Sequence, residues 1–469
     1  MTTRLHYPRY VAFPWRSRWK SYAARGEMIL HFPSSESGTG RGILVRCAAY
    51  GEMSSRNIAR SYGPTIEVSL LCYRGAVPIK ADMAETLRVV LERSRNHPLN
   101  VQFGFVGLDD VEGRGVAGME RCFDIMIAHS KRWRVVDMMI PPYLLSRLSL
   151  IRGRIDWLEN IRLSSYGDPQ SGDIRAFEVA PKLKKLHLND MHPEASIRFP
   201  VANLVSFFDK RAFGGDKLTR EYLDVVRLAP NLRSFSYNDY GISHISMPLS
   251  FPCVTSRSLT ELSASSPKFL RNMELPSLRE FTLTTMCNAD TGGVVIKCPE
   301  DALGALHEML LRSQCSLTKL HLIDAVLDNN LANIIRLVPS LQEFDIDFYE
   351  WMDDYDPIMQ SLVTQMSEVR LVDGSPQHSM VPSLQGLCVN LFDVSNRHIS
   401  FINSAFVDMV ASRLHQPTDT PRLRWLDLRA LGHRQSYDID ESGENILESL
   451  MDDGLELYLS LHDNDRRFG

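Results

Sequence analysis

From about residue 150 onward one short phrase keeps returning: a proline or small polar residue, then Leu-x-x-Leu-x-Leu, with Phe, Ile or Val replacing some leucines. It reads PKLKKLHL from Pro181 to Leu188, PNLRSFSY from Pro230 to Tyr237 and PSLREFTL from Pro276 to Leu283. It returns as LTKLHL at Leu317, LQEFDI at Leu341, LQGLCV at Leu384 and LRWLDL at Leu423, with weaker copies at Leu158, Leu204 and Leu259. In Leu-x-Leu the two apolar side chains share one face of an extended strand and the residue between them points to the other. One such strand cannot bury its apolar face alone, so the copies must stack side by side.

The first apolar positions, 158, 183, 204, 232, 259, 278, 317, 341, 384 and 423, are separated by 25, 21, 28, 27, 19, 39, 24, 43 and 39 residues. The shorter intervals match the leucine-rich-repeat period of about 20 to 29 residues. The three long ones either hide a degenerate copy or carry insertions. Helical spacing fills several intervals: Thr219 to Ala229 with Tyr222, Leu223, Val226 and Leu228; Asp301 to Ser313 with Leu303, Leu306, Leu310 and Leu311; then Asn330 to Val338 and Asn403 to Leu414. Strand alternating with helix predicts an α/β fold, a curved leucine-rich-repeat solenoid with a parallel strand ladder and outer helices. Upstream, Thr65 to Tyr73 and Leu99 to Phe105 read as strands, and Ala84 to Arg95 and Met119 to Ser130 as helices, which together form an N-terminal capping unit. Ser34 to Gly42 reads as a mobile loop.

Composition narrows the function classes. The 469 residues are 44% hydrophobic, enough for a large core, and the net charge of -5 gives no global basic field for nucleic acid or an anionic membrane. The eight cysteines form no C-x-x-C pair, which suits reduced thiols in a cytoplasmic or nuclear protein. No apolar run long enough for a membrane helix and no signal-peptide core is present. The basic first 25 residues have the bias of a transit peptide, but Pro8 and Pro14 interrupt the helix one needs.

Catalytic motifs do not turn up. There is no G-x-S-x-G elbow, P-loop or H-E-x-x-H pair, and His307-Glu308 lacks its second histidine, so no enzyme activity, cofactor or metal is expected. Gly38 to Gly42 (GTGRG) has neither the strand before it nor the helix after it that a phosphate loop requires. The acidic residues Asp345, Asp347, Glu350, Asp353, Asp354 and Asp356 around Tyr349, Trp351 and Tyr355 read as a solvated repeat loop, with a divalent cation or a basic partner as the alternatives. Lys131, Arg132, Trp133 and Arg134 follow a helix and read as its cap, with Trp133 in the core.

The best binding candidates flank the inward leucines: Lys185 and His187, Ser234 and Ser236, Glu280 and Thr282, Lys319 and His321, Glu343 and Asp345, Trp425 and Asp427. They vary in chemistry from copy to copy, as the concave face of a repeat array does when it holds a protein partner. Trp425 stands out because tryptophan concentrates binding energy at interfaces.

Five phrases occur in an order that carries a further reading: Val90 to Ser94 followed by Pro98-Leu99, His129 to Trp133, Phe177 to Pro181, Leu311 to Leu317 and Val338 to Glu343. Together they resemble the F-box and leucine-rich-repeat family expanded in mushroom-forming fungi, over residues 65 to 469. The resemblance implies the substrate-recognition part of an SCF-type cullin ubiquitin ligase, in which an F-box docks on a Skp adaptor and the repeats hold the protein substrate. The family's opening, a Leu-Pro start, an Ile-Phe pair and a Cys-x-x-Trp-Arg phrase, does not occur in the first 60 residues, where Arg18 to Ala23 is the segment to compare with its last helix. Residues 1–60 are therefore expected to be a degenerate or truncated, partly disordered segment, 61–145 the capping unit and 146–469 the array. The alternative to the receptor is an interaction scaffold without ligase recruitment. Neither nucleic acid nor membrane is an expected partner.

Overall fold

The computed structural model describes residues 28–31, 44–49, 66–72, 81–105, 114–165, 173–189, 191–192, 195–211, 216–237, 251–284, 297–372, 375–416, 421–432 and 435–461. The glycine-rich stretch at 34–42 and the segment Arg18 to Ala23 lie outside these. The chain forms two compact units, residues 1–183 with 195–200, and residues 184–194 with 201–469. Among the described residues no helix is long and apolar enough to cross a membrane.

In the first unit β1 (Met28–His31), β2 (Leu44–Ala49) and β3 (Ile66–Cys72) pair antiparallel, and β3 continues parallel through β4 (Leu99–Phe105), β5 (Trp133–Met139) and β6 (Asn160–Ser164). Helix α1 (Ala81–Arg93) makes the crossover from β3 to β4, and α2 (Arg114–Ala128) that from β4 to β5. Trp133 is fully buried. Arg132 donates to the carbonyls of Leu91 and His97 and to the carbonyl and hydroxyl of Ser94. The cation therefore caps the negative end of α1, not of the helix it follows in sequence.

The second unit is a parallel ladder. Its described strands run β7 (Lys185–Asn189), β8 (Ser206–Lys210), β9 (Ser234–Tyr237), β10 (Glu261–Ser263), β11 (Glu280–Leu283), β12 (Lys319–Ile323), β13 (Glu343–Phe348), β14 (Gly386–Leu391), β15 (Trp425–Ala430) and β16 (Glu456–Ser460), each beside the next in chain order. Each recurring phrase from Pro181 onward ends in one of these strands. The register sets the inward residues in one row: Leu186, Phe207, Phe235, Leu262, Phe281, Leu320, Phe344, Leu387 and Leu426, none more than 4% exposed.

Helices α3 (Asp216–Leu228), α4 (Pro267–Arg271), α5 (Ala302–Ser313) and α6 (Asn330–Leu337) pack each on the next, as do α7 (Tyr355–Ser367), α8 (Ser404–Leu414) and α9 (Glu441–Ser449). They cover the inward row through aromatic contacts: Tyr222 of α3 meets Phe207, Phe235 and Tyr237, and Phe269 of α4 stacks on Phe235. Two leucines expected on buried helical faces point outward instead, Leu228 and Leu311, each about half exposed.

The three long intervals carry insertions. β11 pairs directly with β12, β13 with β14 and β14 with β15, so no ladder strand lies between them. The interval before β14 holds α7 and an antiparallel hairpin, Val369–Val372 with Ser375–His378; the one after it holds His398–Asn403, which pairs with Ser436–Asp438.

One buried carboxylate makes stability depend on pH. Asp324 follows β12 with a φ of 48° and accepts the Tyr349 amide at 2.8 Å. Burial lifts its carboxyl from 3.8 to about 6. Between those values the folded protein holds the proton and the unfolded chain does not, so this group's stabilisation is present below pH 3.8 and lost as pH rises through 6. The difference amounts to about 3 kcal/mol at 1.36 kcal/mol per pH unit. His378, pushed down from 6.5 to about 4 by burial and by Arg413, acts with the opposite sign, its stabilisation lost as pH falls. Asp324→Asn keeps an acceptor and tolerates the positive φ. Denaturant titrations from pH 4 to 7 should show the parent losing about 2 kcal/mol relative to this variant; parallel curves would contradict the burial of the charge.

Candidate functional site

The side of the ladder opposite the helices is built from the residues between and beside the inward ones. Its first row runs Lys185, Ser206, Ser234, Glu261, Glu280, Lys319, Glu343, Gly386, Trp425 and Glu456. The second runs His187, Phe208, Ser236, Ser263, Thr282, His321, Asp345, Cys388, Asp427 and Tyr458. All twelve residues singled out from the sequence lie in these two rows, half-buried or exposed.

The rows are not uniform. Strands β7 to β9 carry Lys185, His187 and Lys210 with hydroxyls; His187 lies against Phe208 and the Lys210 ammonium over the same ring. From β10 onward carboxylates dominate. Lys319 Nζ reaches Glu343 at 2.7 Å and Asp345 at 3.3 Å, His321 Nε2 lies 2.9 Å from Asp347, and Asn390 donates to Asp347 at 2.8 Å. Arg429 clasps Asp427 with two bonds of 2.6 and 2.7 Å. The hydrogen bond to Glu343 holds the Lys319 ammonium above its ordinary range, while burial raises the Asp345 carboxyl against the pull of Lys319. Burial and then Asp347, Asp345 and Asp427 push the Cys388 thiol up to about 12, so it is not a thiolate nucleophile at neutral pH. Among the described residues no group of three or more His, Cys, Asp or Glu side chains is gathered as metal ligands.

Trp425 is half-buried. The indole lies across Gly386 on the neighbouring strand, so closely that a Cβ there would collide with it. Glycine is required by that close approach. Without a side chain at 386, the ring occupies two positions of the first row.

The acidic stretch around Trp351 is not one site. Asp345 and Asp347 belong to the strand face, Glu350 pairs with Lys297 at 3.2 Å and Asp353 with Arg397 at 2.8 Å. Asp356 is buried and accepts from the Trp351 indole and from the amides of Ser400 and Phe401. Trp351 and Tyr355 pack on Phe348 in the core. Asn390 and Arg429 escaped the sequence reading, and Asp347 entered it only as part of the acidic loop, because all three sit one strand position beyond the Leu-x-Leu end of the phrase. Glu456 and Tyr458 escaped because Gly454 stands where the phrase opens with leucine.

Neither a protein-family model nor a curated protein matches the chain. Among solved structures it is similar to a chain in the crystal structure of the Rad7 and Elc1 complex in yeast, at 13% identity over 57% of this chain and 82% of that one, with a TM-score of 0.23. A likeness that slight carries no argument about fold or partner.

Proposed function

We propose that the chain is a non-enzymatic leucine-rich-repeat protein that binds a protein partner on the open face of its strand ladder. The observation supporting this is the contrast between rows. The inward row keeps Leu or Phe on successive strands, while the two outward rows change from lysine and histidine through serine and threonine to carboxylate and tryptophan. Packing alone asks for no such variety.

In this reading the second unit is a curved solenoid with the ladder on its concave side. A helix is about 10 Å wide, whereas strands stack at about 4.8 Å, so helices laid behind strands splay the outer layer. The resemblance to F-box proteins adds a finer proposal, that the bound protein is a ubiquitination substrate and that a Skp adaptor and cullin are further partners. The alternative is a scaffold without a ligase.

Two measurements test these levels separately. Trp425→Ala should weaken partner capture by about thirtyfold, the loss of a typical interface hot spot, with the second unit still unfolding cooperatively; equal capture by variant and parent would remove Trp425 from the interface. Co-purification of the tagged chain with recombinant Skp adaptor and cullin should give a stoichiometric complex if it is a ligase receptor. Failure to recover one would favour the scaffold.

A further inference from the structure

The outward rows change sign along the ladder. Strands β7 to β9 carry Lys185 and Lys210 with no outward carboxylate, because Asp209 turns inward and is buried against Arg211 at 2.6 Å. Strands β10 to β16 carry seven outward carboxylates, Glu261, Glu280, Glu343, Asp345, Asp347, Asp427 and Glu456, against two permanent cations, Lys319 and Arg429. The surplus is concentrated around an aromatic platform. In the first row Glu343 stands beside Gly386, the Trp425 indole covers Gly386, and Glu456 stands on the far side of Trp425. In the second row Asp345, Cys388 and Asp427 run parallel to them and end at Tyr458, which is 59% exposed.

An indole face attracts a cation through its quadrupole, and a carboxylate at either side adds charge-assisted hydrogen bonds. An anionic ligand would meet repulsion here, and a purely apolar one would bury carboxylates without return. We propose that this end of the ladder receives a protein partner through an arginine- or lysine-bearing segment, with a cationic side chain over Trp425 between Glu343 and Glu456. The inference rests on the protein-binding reading above and names the partner's chemistry. It also orients the partner, whose basic portion lies toward β16 and whose acidic or neutral portion lies toward β7.

The test is selection of binding peptides from a random displayed library on the full chain, followed by affinity measurement on variants. Lysine- and arginine-rich peptides are expected, with binding that weakens as salt rises. They should bind the Glu343→Gln/Glu456→Gln double variant about tenfold more weakly or worse. Gly386→Ala, which displaces the indole but keeps every charge, should also weaken them. Selected peptides without cationic bias, or equal affinity for the double variant, would overturn the basic-partner inference; if Trp425→Ala still weakened them, the protein-binding reading would survive. Peptides indifferent to every one of these substitutions would overturn both.

Discussion

Leu320→Asp is expected to abolish the cooperative unfolding of the second unit, or to lower its stability by about 5 kcal/mol or more. Leu320 is fully buried in the middle of the ladder, in register with Phe281 on one side and Phe344 on the other. The substitution removes the transfer energy of a leucine, about 2 kcal/mol, and adds a carboxylate or its proton-bearing form with nothing to pair it. Stacked strands share one core, so the damage should spread to the neighbouring strands. A whole domain is stable by only about 5 to 15 kcal/mol. Thr282→Asp, on the open face one strand away, is the control and should change stability by less than about 1 kcal/mol. Thermal unfolding of Leu320→Asp that matches the parent would contradict the inward placement of the row.

The second large effect is expected at Arg413, a fully buried arginine in α8. Its guanidinium donates to the carbonyls of Val381 at 3.0 Å and of Met366 and Met380 at 2.8 Å. It thereby ties the C-terminal end of α7 to the turn that leads into β14. Val381 has a φ of 40°, which a β-branched residue rarely adopts, so the same bonds hold a strained position. Arg413→Met fills much of the volume but takes the guanidinium donors from three buried carbonyls, of which that of Val381 keeps the Leu384 amide, at a cost of about 3 to 5 kcal/mol. Burial lowers the guanidinium to about 10, still protonated at neutral pH, so removing the charge returns part of its desolvation cost. Hydrogen exchange should show the loss of protection concentrated at the end of α7 and at residues 380–386. Unchanged protection there would mean that the three bonds do not hold the turn.

How far the sequence reveals this molecule follows from which physical signals are periodic. The strands from β6 to β15 are legible because an inward leucine or phenylalanine returns with each of them, and even the weak copies at Leu158, Leu204 and Leu259 lead into strands β6, β8 and β10. Arg413 is illegible: a charged residue in an amphipathic helix reads as solvent-facing until the tertiary structure supplies carbonyls for it. The start of α7 is hidden because Asp353, Asp354 and Asp356 look like a loop, although Tyr355, Met359, Leu362, Val363 and Met366 bury the helix that follows. The outward rows at positions 185, 187, 319, 321, 425 and 427 follow from strand alternation alone. Their electrostatics do not, since Lys319 with Glu343, His321 with Asp347 and Trp425 with Gly386 are neighbours only through the register.

The decisive measurement is site-specific photo-crosslinking of the full chain in cell extract, with the probe placed in turn at Ser236, Thr282 and Tyr458 on the open strand face and at Glu308 and Arg336 on the helices. The same partner band is expected from the three strand positions and not from the two helical ones. A partner that crosslinks from the helices and not from the strands would contradict the assignment of the ladder as the binding surface.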